Sequence, residues 1–350
     1  PAGRLSGFVT INSTNGSVLV GDVTAPGMTI VSEGGNLVAG NLNAFDPVLA
    51  FGLPTIIDLS AFGGDITVAS LDTVGDVTIF NESGALTRVL GTSNAGNDLV
   101  FSGSGDFRFD GAVTAGRDLI GLANGPVAGS VVFGAGINAG RNVGVVATNG
   151  TIALLPGLAG PSLAGGNLAF SAREIGLSAV DVGGDLALTA TAGSIDATEV
   201  GSVGGAIALI ANDDVTFGAL AAGGGSFVVD AGGAIAFNAA ESSDAISMTA
   251  AGALTGGDLA APGTISLDAA SIAIGDAVAG AFALVSNSDI LFDSLQSGGA
   301  ISLSAIGGTI AANTGPGDIE SGGAGAAERP ARPARTPSCV ATKAARPWPG

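Results

Sequence analysis

The chain carries 30 Asp and Glu against 11 Lys and Arg, a single Cys, and neither His nor Tyr. That inventory removes Ser-His-Asp and Cys-His nucleophile systems, His-ligated zinc, and the commonest general base. Carboxylates remain. The densest local cluster is Asn212-Asp213-Asp214, with Asp230 about one repeat further on. Two acids flanking a sugar can cleave a glycosidic bond if one keeps its proton and a groove places the substrate. Arg117, Arg141 and Arg173 are the cations that could work beside such acids. The plainer reading makes the acids a solvated corner and the arginines exposed charges. We therefore assign no catalytic, cofactor-binding or metal-binding residue from the sequence. We expect no cofactor, and we expect the chain not to be an enzyme, with a polysaccharide-active protein as the alternative.

Calcium has one local handle. Gly96-Asn97-Asp98-Leu99 followed by Gly103-Ser104-Gly105-Asp106-Phe107 resembles the Gly-Gly-x-Gly-x-Asp nonapeptide of RTX toxins and proteases. The resemblance implies sites built from consecutive copies, because each ion is shared between neighbouring coils. Here there is one degenerate copy, with Ser102 where the first Gly should stand. A calcium-dependent RTX-like or surface-layer protein is kept as a further alternative.

Whatever these residues do, a repeat must position them. An apolar residue opening an alternating run falls at Leu168, Leu186, Ile207, Phe227, Ile246, Ile265, Phe282 and Ile301, in steps of 18, 21, 20, 19, 19, 17 and 19. A second apolar point follows 7 to 9 residues later (Ile195, Val215, Ile235, Leu254, Ile272, Ile290, Ile310). A third comes after 13 or 14 (Val200, Leu220, Ala240, Leu259, Val278, Leu295). Period-two alternation, as in Leu186-Ala187-Leu188 or Ile265-Ser266-Leu267, puts one face in and one face out. Three short strands per unit at a period near 20 predict a single-stranded, right-handed parallel β-helix of about 15 coils, each of roughly 19–20 residues. At about 4.8 Å per coil, the expected rod is some 70 Å long. The 60 glycines cluster at corners, often followed by Asn or Asp, as at Asn36, Asp65, Asp98, Asp118, Asn142, Asn167 and Asp185. Glycine there supplies positive φ or close backbone approach, and Asx side chains can bond nearby amides.

The division expected is a solenoid over 1–326, with irregular coils in 1–164 and regular ones in 165–315, and a tail over 327–350. In the first part Ile66, Val77, Leu99, Leu119 and Val143 follow Gly-Asx-type corners in steps of 11, 22, 20 and 24. Asn41–Phe62 with Pro47 and Pro54, and Leu154–Leu163 with Pro156 and Pro161, read as loops leaving the coil, since Pro cannot donate to a central ladder. The tail packs in Arg329, Arg332, Arg335, Lys343 and Arg346, with the only Cys (Cys339) and the only Trp (Trp348). It is expected to be disordered, either as a proline-rich linker or as out-of-frame translation. Without it, 29 acids face 6 bases, a charge of −23. So acidic a surface argues against nucleic acid and anionic membranes as partners. No apolar run reaches the ~18–20 residues of a membrane span. The chain begins at Pro1 without an N-terminal signal, and reads as an internal piece of something longer.

The repeats Gly183-Gly-Asp-Leu-Ala-Leu-Thr-Ala-Thr-Ala-Gly-Ser-Ile-Asp-Ala197 and Gly204-Gly-Ala-Ile-Ala-Leu-Ile-Ala-Asn-Asp-Asp-Val-Thr-Phe217 resemble those of filamentous haemagglutinin-like adhesins. Similar coils occur in autotransporter passenger domains of Gram-negative bacteria. The likeness runs over roughly residues 30–315. It implies an exported, secreted or cell-surface rod, associated with the outer membrane, that mediates adhesion or biofilm contact. The implied partners are glycans or proteins of host or neighbouring cells and the outer-membrane secretion machinery. Unpaired strand edges at the ends of such a stack add an expectation of end-to-end self-association.

Overall fold

The computed structural model describes residues 7–45, 55–125, 129–155, 162–313, 318–321 and the backbone of 326–328. The described chain is all strand and turn, with no helix and so none able to cross a membrane. It divides into two compact units, Pro1–Thr191 and Ala192–Gly350. Each is a parallel β-solenoid with three faces, and every described strand pairing is parallel. Among the described residues the first face has nine strands in unit 1 and seven in unit 2, in keeping with the expected number of coils.

In unit 1 the first face stacks Val9–Ser13, Met28–Ser32, Ile56–Ala61, Asp76–Asn81, Leu99–Gly103 and Leu119–Ala123, then 143–147, 168–172 and Leu186–Ala190. Inward positions form unbroken columns: Val77, Leu99, Leu119, Val143, Leu168 and Leu186 lie one above another and are at most 1% exposed. The second face carries Phe107 and Phe109 of Asp106–Phe109, paired to Val131 and Phe133. Phe101 reaches across the interior to Phe107 and Phe109, with ring centroids at 4.8 and 5.2 Å. Phe109 stacks on Phe133 at 5.5 Å. The coil after Phe101 makes room for its ring, because Gly121 sits in register with Phe101 and a Cβ there would lie 2.1 Å from Phe101 Cζ.

Two sequence expectations change in unit 1. Ile66 belongs to the second face, paired with Leu37 and Thr87, so the step of 11 is not a short coil. Ile57 is the first-face residue before Val77. The unevenness comes instead from three longer coils, which hold residues 46–54, 126–128 and 156–161 between successive strands. Both ends of the segment read as a Pro-bearing loop over Asn41–Phe62 are strand, in Leu37–Ala44 and Ile56–Ala61. Pro47 and Pro54 lie outside the described residues. Likewise Ser162–Ala164 is strand, while Pro156 and Pro161 lie outside them. A non-donating Pro needs to leave only its own few residues unpaired.

Unit 2 repeats the scheme. Ile207, Phe227 and Ile246 form one first-face column, and Ile265, Phe282 and Ile301 another run of it. Ile246–Ala273 is a continuous strand that turns four corners, runs past one full coil and pairs on all three faces. Phe217 stacks on Phe237 at 5.1 Å. One inward assignment fails: Ala277, not Val278, is buried between Leu259 and Leu295. The corner between Ala269 and Ile272 is one residue shorter than its counterpart between Ser286 and Ile290, so the inward place of the third face arrives one residue sooner and Val278 points out, 39% exposed. Ala326–Glu328 pairs with Ser302–Ser304, and residues from 329 onward lie outside the described set.

Gly121→Ala is expected to lower stability by about 1–3 kcal/mol through overpacking against the Phe101 ring, read as a lower denaturation midpoint. Ser93, wholly buried with an unpartnered hydroxyl, gives the opposite test. Ser93→Ala removes an unsatisfied group whose burial costs about 1–3 kcal/mol and should raise the midpoint.

Candidate functional site

The Asx residues after corner glycines do not bond their own turn. Each accepts the backbone N–H of its counterpart one coil along. Before the first face of unit 1, the N–H of Asp98 donates to Asp76 Oδ1 (3.1 Å), Asp118 to Asp98 (3.2 Å), Asn142 to Asp118 (3.0 Å), Asn167 to Asn142 (3.0 Å) and Asp185 to Asn167 (2.9 Å). Ser17, Asn36 and Asp65 run a second ladder at the next corner, ending on the Leu86 N–H. In unit 2 the same device links Asp214 to Ala234 (2.7 Å), Asp258 to Asp276 (3.1 Å) and Asp289 to Thr309 (2.8 Å).

These ladders explain the glycines. The only described glycine at positive φ is Gly136 (88°), so the corners select glycine for close approach. A Cβ on Gly64 would sit 2.4 Å from Asn36 Oδ1, and one on Gly233 would sit 2.2 Å from Asp214 Oδ1. The glycine clears the path along which the previous coil's side chain reaches the next amide.

Electrostatics follow from the same contacts. The Asn142 N–H and, beyond it, the Arg141 guanidinium at 2.5 Å hold the Asp118 carboxyl below the usual range. The Thr309 N–H and hydroxyl do so for Asp289. Partial burial pushes Asp110 up, but Arg108 and Arg88 outweigh it and its carboxyl ends below the usual value. Those two arginines are in register on the outer second face. Asp58 is the opposite case, half-buried and pushed up by desolvation. Its register neighbours are Thr29 and Thr78, so no second carboxylate stands beside it in the ladder.

The residues singled out by chemistry are thus placed as follows. Asp214 is a ladder member, and Asp213 accepts from Asn212 Nδ2 at 3.3 Å. Asp230 lies in the first-face strand between Ile210 and Thr249, while the corner above Asn212-Asp213-Asp214 is Gly232-Gly233-Ala234, so Asp230 is not stacked on the pair. Arg117 bonds Asp98, which raises the guanidinium's pKa, and Arg141 bonds Asp118. Arg173 is exposed. Asp98 and Asp106 of the calcium-like stretch flank opposite ends of Leu99–Gly103 and accept from Asp118 and Ser130 respectively. Among the described residues no three Asp, Glu or Cys side chains converge as a metal site.

Sequence reasoning missed two features. Arg88 and Arg108, one period apart in alternating runs, were legible as a same-face pair. A groove on the third face of unit 2 was not. Its volume is about 450 Å³, lined by Glu241, Ala260, Pro262, Val278, Gly280 and Gly298 among others. The coil from Ile265 to Phe282 is the short one, and its corner between Ala279 and Phe282 is one residue shorter than those on either side. The flanking corners stand proud of it.

Comparison with family models, with curated proteins and with solved structures gives no match.

Asp118→Ala removes an acceptor from a backbone amide and from Arg141, and is expected to cost about 1–3 kcal/mol. Because Asp110, Asp118 and Asp289 are depressed in the fold, their contribution is complete above the unfolded carboxylate value and is lost as pH falls through their folded values. Thermal melts should therefore fall off below about pH 4. Asp58 has the reverse sign: Asp58→Asn should raise the melting temperature at neutral pH, and that gain should vanish in acid.

Proposed function

We propose that this chain is a structural, adhesive segment of a large exported bacterial surface protein, made to present its outer faces to glycans or proteins of host or neighbouring cells. The supporting observation is how the side chains are used. Inward positions form an apolar core, and the corner Asx residues are spent on coil-to-coil hydrogen bonds. The outward positions of the strands are dominated by small residues such as Ala169, Ala187, Ser247 and Ser302. Such surfaces suit broad, shallow contact. Export through outer-membrane machinery and residence at the cell surface belong to this proposal, as does the absence of catalysis.

The polysaccharide-cleaving alternative draws no support from Asp213 and Asp214, since Asp214 holds up the fold. In the source bacterium, in-frame deletion of the coding region should reduce surface attachment or biofilm while leaving growth on polysaccharides unchanged. Unchanged attachment together with lost polysaccharide cleavage, reproduced by Asp213→Ala, would overturn the proposal.

A further inference from the structure

Up to Glu328, unit 2 is acidic without compensation. Between residues 192 and 328 there are 15 Asp and Glu and no Lys or Arg. One of these acids, Glu241, lines the third-face groove, and others share that face. Its central outward row runs Glu241, Ala260, Val278, Gln296, Glu320 in strict register, and the adjacent row runs Ala239, Asp258, Asp276, Ser294, Asp318. Glu241 and Glu320 are exposed, as are Asp258, Asp276 and Asp318. The groove thus has an apolar floor of Ala260, Pro262 and Val278 and one lining carboxylate, Glu241, with Asp258 and Asp276 in the row beside that floor and Asp318 and Glu320 further along the same face.

The occupant with matching chemistry is in the same chain. Immediately after Glu328 come 22 residues with five cations, Arg329, Arg332, Arg335, Lys343 and Arg346, interleaved with prolines. We propose that segment 329–350 docks in this groove, with proline rings on Ala260, Pro262 and Val278 and the cations on the acidic rows. Charge complementarity and reach both favour it. Glu328 ends the strand that stacks on Ser302–Ser304, and 22 residues of extended chain from there span the few coils back to the groove. In polyproline geometry three residues advance about 9.3 Å, close to two coil spacings of about 4.8 Å. Arginines at every third position therefore recur at the pitch of every second coil, the separation of Asp276 from Asp318. Such a contact is salt-sensitive, because exposed charges are screened as the Debye length shrinks.

The chain supplies its own probes, since Trp348 is its only Trp, it has no Tyr, and Cys339 is its only Cys. Trp348 fluorescence anisotropy in the full chain should be high at low salt and fall in about 0.5 M NaCl. The variant Glu241→Gln/Asp318→Asn/Glu320→Gln, whose far-UV circular dichroism should match the parent, should show the low value at low salt. Under mild oxidation, Val278→Cys should form a disulfide with Cys339 within one molecule, whereas Val228→Cys on the first face should not. Anisotropy indifferent to salt and to the acidic variant would overturn the proposal. So would equal crosslinking at both positions, or a crosslink that joins two copies.

Discussion

A coil in a parallel solenoid can hydrogen-bond only to the coil before it and the coil after it, so each turn of chain must return to the same register. Everything else in the two units follows from that requirement. Strand amides alone set the spacing of about 4.8 Å, but they would tolerate a slip along the strand. A slip of one residue turns every inward side chain out. The corner ladders resist it: a carboxylate or amide oxygen on one coil reaches a single N–H on the next, as from Asp118 to Asn142 at 3.0 Å. Where a corner is one residue short, between Ala269 and Ile272, the third-face register is still kept and Ala277 takes the inward place between Leu259 and Leu295.

The same constraint governs residue size. Equivalent positions stack on one another, so a large ring must be offset by a small neighbour above or below. Gly121 over Phe101 and Gly256 over Phe237 are the clearest cases, each leaving about 2 Å to a hypothetical Cβ. Corner glycines obey the rule in another form, yielding space to the ladder oxygen beneath them. Composition that reads as low complexity is therefore position-specific. Alanine on an outward row is replaceable in a way that glycine at a ladder corner is not.

Charge is distributed by the same logic, and differently in the two units. In unit 1, three acids pair with arginines: Asp98 with Arg117 and Asp118 with Arg141 of the next coil, and Asp110 with Arg88 of the previous coil and Arg108 of its own. Unit 2 has ladder acids and, between residues 192 and 328, no Lys or Arg. Its carboxylates are held by backbone N–H groups, which satisfy one oxygen and leave the charge facing solvent. The groove lies where one coil is short.

The sequence by itself determined the fold class. Alternating Leu, Ile and Phe at a period near 20 leave no other way to bury one face of so many short strands, and first-face residues from Leu168 to Ile301 fall where the period puts them. It also marked the ladder residues, from Asn36 to Asp185, as corner Asx. It did not reveal their partners, because those amides lie 18 to 29 residues away and become neighbours only when coils stack. Ile66 was assigned to the wrong face for a related reason: a single apolar residue after a Gly-Asp corner looks the same at any of the three corners. Val278 depended on the short corner between Ala269 and Ile272, and the groove on the short corner between Ala279 and Phe282; each moves where the next strand begins without changing its pattern. Local periodicity is a property of the chain, whereas which oxygen meets which amide is a property of the stack.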